Sequence, residues 1–123
     1  MDIRCLIVDD NRSFLDAARV LLEREGLTVV GVASTSAETL RDAEALRPNV
    51  ILVDISLGGE SGLDLARRLV ENGQNSGATV ILISTHAEAD YADLIAASPA
   101  AGFLPKAELS ASAIRRIVDG RPR

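Results

Sequence analysis

Residues 6–14 read LIVDDNRSF: an unbroken aliphatic run that stops at two adjacent aspartates and passes at once into a stretch with helical spacing. Side by side at the end of a strand, each carboxylate makes the other harder to ionise. The run from Arg4 to Asp9 is apolar at nearly every position, as a strand buried on both faces requires. Strands of that kind belong to parallel sheets covered by helices on both sides, and the rest of the chain repeats the pattern.

Further strands are expected over Leu27–Ala33, Asn49–Asp54, Ala78–Ser84 and Ala101–Leu104. The intervening and final stretches predict five helices. The first, Arg12–Glu25, places Phe14, Ala18, Leu21 and Leu22 on one face and closes at Gly26, a C-cap residue. Thr35 with Glu38 three residues later announces the second as a capping box, with Leu40, Ala43 and Leu46 as its stripe and a stop before Pro48. The third, Ser61–Glu71, buries Leu65, Ala66 and Leu69 and gives way to the polar loop NGQNSG; the fourth spans Glu88–Ala97. The fifth, Ser110–Asp119, carries Ile114, Ile117 and Val118 and ends at Gly120. Regular β/α alternation predicts a parallel sheet with right-handed crossovers. Pro105, lacking an N–H, puts the fifth strand at a sheet edge or ends it there.

The chain has 123 residues, 47% of them apolar, which is enough for one core and too little for two domains. With only Phe14, Tyr91 and Phe103 aromatic, the core is aliphatic, and base or flavin stacking is disfavoured. A formal net charge of -5 argues against nonspecific DNA binding. The single Cys5 excludes a disulfide framework and reads as a small buried hydrophobe. The start MDIR does not resemble a signal peptide and no run reaches membrane-spanning length, so the expectation is a cytoplasmic protein with no membrane or nucleic-acid partner.

In a parallel sheet the carboxyl ends of the strands share one rim, where ligands of open α/β sheets bind. Here that rim collects Asp9 and Asp10 from the first strand, Asp54 from the third, Ser84 and Thr85 from the fourth and Lys106 from the fifth. Lys106 is the only lysine in the chain. Clustered carboxylates call for a hard cation, and Mg2+ takes oxygen ligands from one or two of them while keeping waters and accepting a phosphate oxygen.

VDD at Val8–Asp10, LVDISLGGESG at Leu52–Gly62, ILIST at Ile81–Thr85 and GFLPK at Gly102–Lys106 stand in this order across essentially the whole chain. Together they make it similar to the receiver domains of bacterial two-component response regulators. That resemblance implies a flavodoxin-like doubly wound fold with strand order 2-1-3-4-5. It implies that Asp54 is the phosphoacceptor, that Asp9 and Asp10 hold Mg2+ (or Mn2+) with Asp54 and the main-chain carbonyl of Ser56, and that Lys106 meets the phosphoryl oxygens. Ser84 matches the switch hydroxyl, with Thr85 one residue away as its rival. Phe103 matches the aromatic switch, although a plain core aromatic reads almost as well. The isolated His86 fits an exposed loop residue near the site, and Arg115, Arg116, Arg121 and Arg123 fit a solvated basic end. Two departures stand out: Gly58 replaces the family's usual proline and loosens the loop, and Ala107 stands where a proline often follows the lysine.

The implied function is a phosphorylation-dependent switch that takes its phosphoryl group from a histidine kinase or phosphotransfer protein. It would catalyse its own phosphorylation and dephosphorylation without turning over an independent substrate. Output would run through the fourth helix, fifth strand and fifth helix to a protein partner, an output domain beyond this chain, or a weak homodimer. A phosphorylation-independent interaction module is the alternative. A phosphatase of the haloacid dehalogenase type would need Asp-x-Asp on its nucleophile strand, which Asp9-Asp10-Asn11 and Asp54 with Ser56 do not supply.

Overall fold

A computed structural model describes residues 2–71, 78–85 and 91–120. Counting only strands of the main sheet, β1 (Arg4–Val8), β2 (Thr28–Ala33), β3 (Val50–Asp54), β4 (Thr79–Ser84) and β5 (Gly102–Pro105) pair in the order 2-1-3-4-5, and every pairing is parallel. The flavodoxin-like order follows, with β5 at an edge and Pro105 its last residue, as a residue without an N–H requires. Helices α1 (Arg12–Arg24), α2 (Ser36–Leu46), α3 (Gly62–Glu71), α4 (Ala92–Ala96) and α5 (Ala111–Asp119) fill the crossovers and the end.

Side chains alternate along each strand, so the sheet supports two apolar layers. Cys5, Ile7, Leu52 and Ile81 meet Leu15, Ala18 and Leu22 of α1 and Ile114 of α5 on one face. Leu6, Val8, Ile51 and Val53 meet Ala43 of α2 and Leu65, Ala66 and Leu69 of α3 on the other. Truncating a fully buried Leu such as Leu22 to Ala would cost about 2–5 kcal/mol. One expectation for α1 fails: Leu21 is 38% exposed, and Leu15 takes the core position instead. Leu15, Ala18 and Leu22 share the inner face at i, i+3 and i+7, while Leu21 lies about 100° round from Leu22.

Local signals set the ends. Asn11, Thr35 and Ser110 accept from the N–H groups of Phe14, Glu38 and Ala113, three residues on, and so cap α1, α2 and α5. The expected capping box differs in its return bond, because Glu38 accepts from the Ser34 N–H, one residue before the cap. At the far end of α1, Gly26 at φ +94 follows the cap residue Glu25. The N–H groups of Gly26 and Leu27 donate to the Glu23 and Leu22 carbonyls, the paired bonds of a Schellman turn. Arg4 closes α2 from a distance, donating to the carbonyls of Arg47 and Leu46 at 2.7 and 2.6 Å. Of the predicted fourth helix only Ala92–Ala96 is helical among the described residues; His86 and Glu88–Asp90 lie outside them, as do Arg121, Arg123 and the NGQNSG loop.

Candidate functional site

Register builds the rim. Val8 pairs with Val53, which sets Asp9 level with Asp54; Ser84 pairs with Pro105, so Lys106 follows as the chain leaves the edge strand. Asp9 lies just past β1 rather than inside it. Its side chain is fully buried, that of Asp54 nearly so, and Asp10 is exposed.

Lys106 Nζ lies 2.5 Å from Asp9 Oδ2 and 2.9 Å from Asp54 Oδ2, one ammonium bridging two carboxylates. The other oxygens are held by backbone: the Asn11 N–H donates to Asp9 Oδ1 at 2.9 Å and the Ser56 N–H to Asp54 Oδ1 at 3.0 Å. Burial raises the Asp9 carboxyl above its usual range; Lys106 and the Asn11 N–H oppose that rise, and the charge of Asp54 adds to it. Burial also pulls the Lys106 ammonium down, but hydrogen bonds and charges from Asp9 and Asp54 outweigh it, so the net shift is upward and the group stays charged.

Carboxylate oxygens of Asp9, Asp10 and Asp54 lie within 4.8 Å of one another. Three carboxylates against one ammonium leave two formal negative charges. Asp9 Oδ2 is fully buried, and its partner is the close ammonium of Lys106. An all-oxygen donor set with that residual charge fits a hard dication, so the acidic triad can hold a metal ion.

The loop after Asp54 is tied down from several sides. Ser56–Leu57 pairs with Glu60–Ser61 in a short antiparallel ladder, and Glu60 accepts from the Ser36 N–H at the start of α2. Gly58 turns at φ +60, where a Cβ would stand 3.3 Å from Asp10 Oδ2. Proline, fixed near φ −65°, cannot take that conformation. Gly62 opens α3 directly against the backbone of Asp54: a Cβ there would sit 1.7 Å from the Asp54 carbonyl oxygen.

Ser84 is buried at the end of β4, one residue beyond the Ile83 that pairs with Asp54, while Thr85 is exposed. Phe103 is buried on β5 in the layer beneath α2 and α3. The bond after Lys106 is trans, as befits Ala107. Three neighbours of the site carried no role in the sequence reading. Phe14, a core residue by its helical spacing, lies against Lys106, with the ammonium 4.4 Å from its ring centroid. Gly62 was visible as a glycine at a helix start, a place where few residues need one. Glu60 gave no local signal, since its partner on α2 is distant in sequence.

The model of the response regulator receiver domain matches residues 5–119, and the chain belongs to that family of two-component signalling proteins. An uncharacterized transcriptional regulatory protein of Bacillus subtilis, YvfU, is 36% identical over 97% of this chain and 60% of its own length. The chain spans about half to three fifths of the curated relatives it matches. The receiver domain of the putative response regulator NarL from Mycobacterium tuberculosis superposes with TM-score 0.83 at 28% identity, covering 98% of each chain. A Burkholderia pseudomallei response regulator with a phosphorylated aspartic acid and a calcium ion gives TM-score 0.80 at 28% identity, over 95% of this chain and 66% of that one. No helix among the described residues is long and apolar enough to cross a membrane.

Proposed function

We propose that Asp54 accepts a phosphoryl group from a phosphohistidine on a partner kinase or phosphotransfer protein, and that the chain switches its protein contacts in response. The observation that carries this reading is the single ammonium of Lys106 bridging buried Asp9 and Asp54, with Asp10 completing an acidic triad. One carboxylate oxygen of Asp54 attacks phosphorus, the P–N bond to the histidine breaks, and an acyl phosphate results. Asp9, Asp10, Asp54 and the Ser56 carbonyl would hold Mg2+ (or Mn2+), which when bound neutralises charge on the phosphoryl oxygens. Lys106 trades its contact with the Asp54 carboxylate for phosphoryl oxygens, acting as a compact point charge. Water attack on the acyl phosphate later returns inorganic phosphate and the free carboxylate, so the protein acts only on itself.

Ser84, buried at the end of β4, would supply the hydroxyl that follows the phosphoryl group, and Phe103, buried on the adjoining edge strand, would report it. The output face is then α4, β5 and α5, where Leu94 is 54% exposed. Its partner is a downstream protein, an output domain or a second copy of the chain, and the setting is the cytoplasm. The B. pseudomallei relative with a phosphorylated aspartate supports this reading. Incubation with radiolabelled acetyl phosphate should label the protein only with Mg2+, and D54N should abolish the label. Undiminished labelling of D54N removes Asp54 from its role; partner binding indifferent to phosphorylation would point to the interaction-module alternative.

A further inference from the structure

The ammonium that bridges the two carboxylates also meets an uncharged surface. Lys106 Nζ is 4.4 Å from the centroid of the Phe14 ring, while Asp9 Oδ2 and Asp54 Oδ2 approach it at 2.5 and 2.9 Å. Phe14 lies in the first turn of α1, where its N–H donates to Asn11 Oδ1 at 3.1 Å. The Asn11 N–H in turn donates to Asp9 Oδ1. The six residues from Asp9 to Phe14 therefore fix a carboxylate and a ring around the same cation. The ring is partly buried against the layer of α1 and α5, which restricts its movement. An aromatic face attracts a cation through its quadrupole, and the hydrocarbon ring excludes water from that side.

We propose that Phe14 is a positioning residue for the phosphotransfer site: its ring face seats the Lys106 ammonium at the rim while that cation exchanges a carboxylate partner for phosphoryl oxygens. The proposal rests on Asp54 being the acceptor. The two carboxylates hold the ammonium by charge, and the ring adds an apolar contact at 4.4 Å that excludes water. With these contacts the Lys106 side chain is only 11% exposed. A residue that merely packed α1 against the sheet could be leucine; seating a cation requires the π face.

Lys106 is the only lysine, so protein labelled with carbon-13 and nitrogen-15 lysine gives one side-chain spin system to follow by NMR. The methylene beside Nζ should show an upfield ring-current shift that F14L abolishes and F14Y retains. Phosphorylation by acetyl phosphate should slow roughly three- to tenfold in F14L and recover in F14Y. Fluorinated phenylalanines at position 14, which keep the ring's size while draining its face of electron density, should lower the rate stepwise. This series also covers the case in which F14L does not fold. A folded F14L with an unshifted Lys106 resonance or a wild-type rate overturns the proposal, as does a rate insensitive to fluorination. If instead D54N still labels, the acceptor reading fails, while the lysine spectrum judges the seating of Lys106 independently.

Discussion

Asp9 is a fully buried carboxylate, and its tolerance rests on a cation supplied from the far end of the chain. Lys106 approaches Asp9 and Asp54 together, so its removal strands two acids at once. Breaking a buried pair by deleting one partner costs far more than replacing both, because the remaining charge keeps its desolvation penalty without compensation. K106M, which keeps the stem and removes the ammonium, should lower stability by about 3 kcal/mol in metal-free urea titrations. Adding D9N should recover a good part of that loss, since an amide at the same place carries no charge to compensate. Equal stabilities for K106M and the parent would mean that the ammonium does not offset the acids. The comparison separates the structural role of Lys106 from its chemistry, because it needs no phosphodonor.

At the scale of elements, α1 and α5 are joined by more than apolar packing. Glu25, the cap residue at the end of α1, reaches over so that its Oε1 accepts the Ala111 N–H at the start of α5, at 2.6 Å. The carboxylate satisfies an orphan donor and meets the positive end of a helix dipole. E25A should cost about 1 kcal/mol in denaturant unfolding, and E25Q less, since it keeps the acceptor and loses only the charge. An E25A protein as stable as the parent would show that water replaces this bond without loss. Contacts of this kind mark where sequence stops being legible. The strands, the cap at Thr35, the stop at Gly26 and the acidic rim were readable because each depends on periodicity or on residues within a few positions. Glu25 to Ala111, Glu60 to Ser36 and Phe14 to Lys106 were not, because each pairs residues whose proximity exists only once the sheet order is set. Leu21 was misplaced for a related reason: Leu15, Leu21 and Leu22 share a helix with room for only some of them inside, and the packing of α5 and the sheet against α1 decides which.

For the whole molecule, cohesion is uneven, and the unevenness follows the proposed signal path. β1 and β3 are buried throughout their inner positions, whereas α4 has no buried residue and leaves Leu94 exposed. Few buried contacts mean a low free energy of local opening. Amides of Ala92–Ala96 should therefore exchange with solvent by local opening, at least about a hundredfold faster than those of β3, which await global unfolding. Cys5 offers a second readout from the middle of the sheet. Burial pushes its thiol up to about 12 from 9.0, so at pH 8 the folded protein presents a protonated, enclosed sulfur. A raised folded value means that the associated stability is whole below pH 9 and drains away as pH climbs toward 12, because the unfolded chain gives up its proton first. At pH 8, alkylation of Cys5 should accordingly track global unfolding and report the same free energy as the slowest β3 amides. An α4 as protected as β3, or a Cys5 alkylated far faster than β3 exchanges, would show that the sheet and its exposed helix do not divide stability in this way. If they do, the element with least to lose lies on the face proposed to respond to a phosphoryl group at Asp54, and a marginally held helix can be shifted by the modest free energy of one new charged contact.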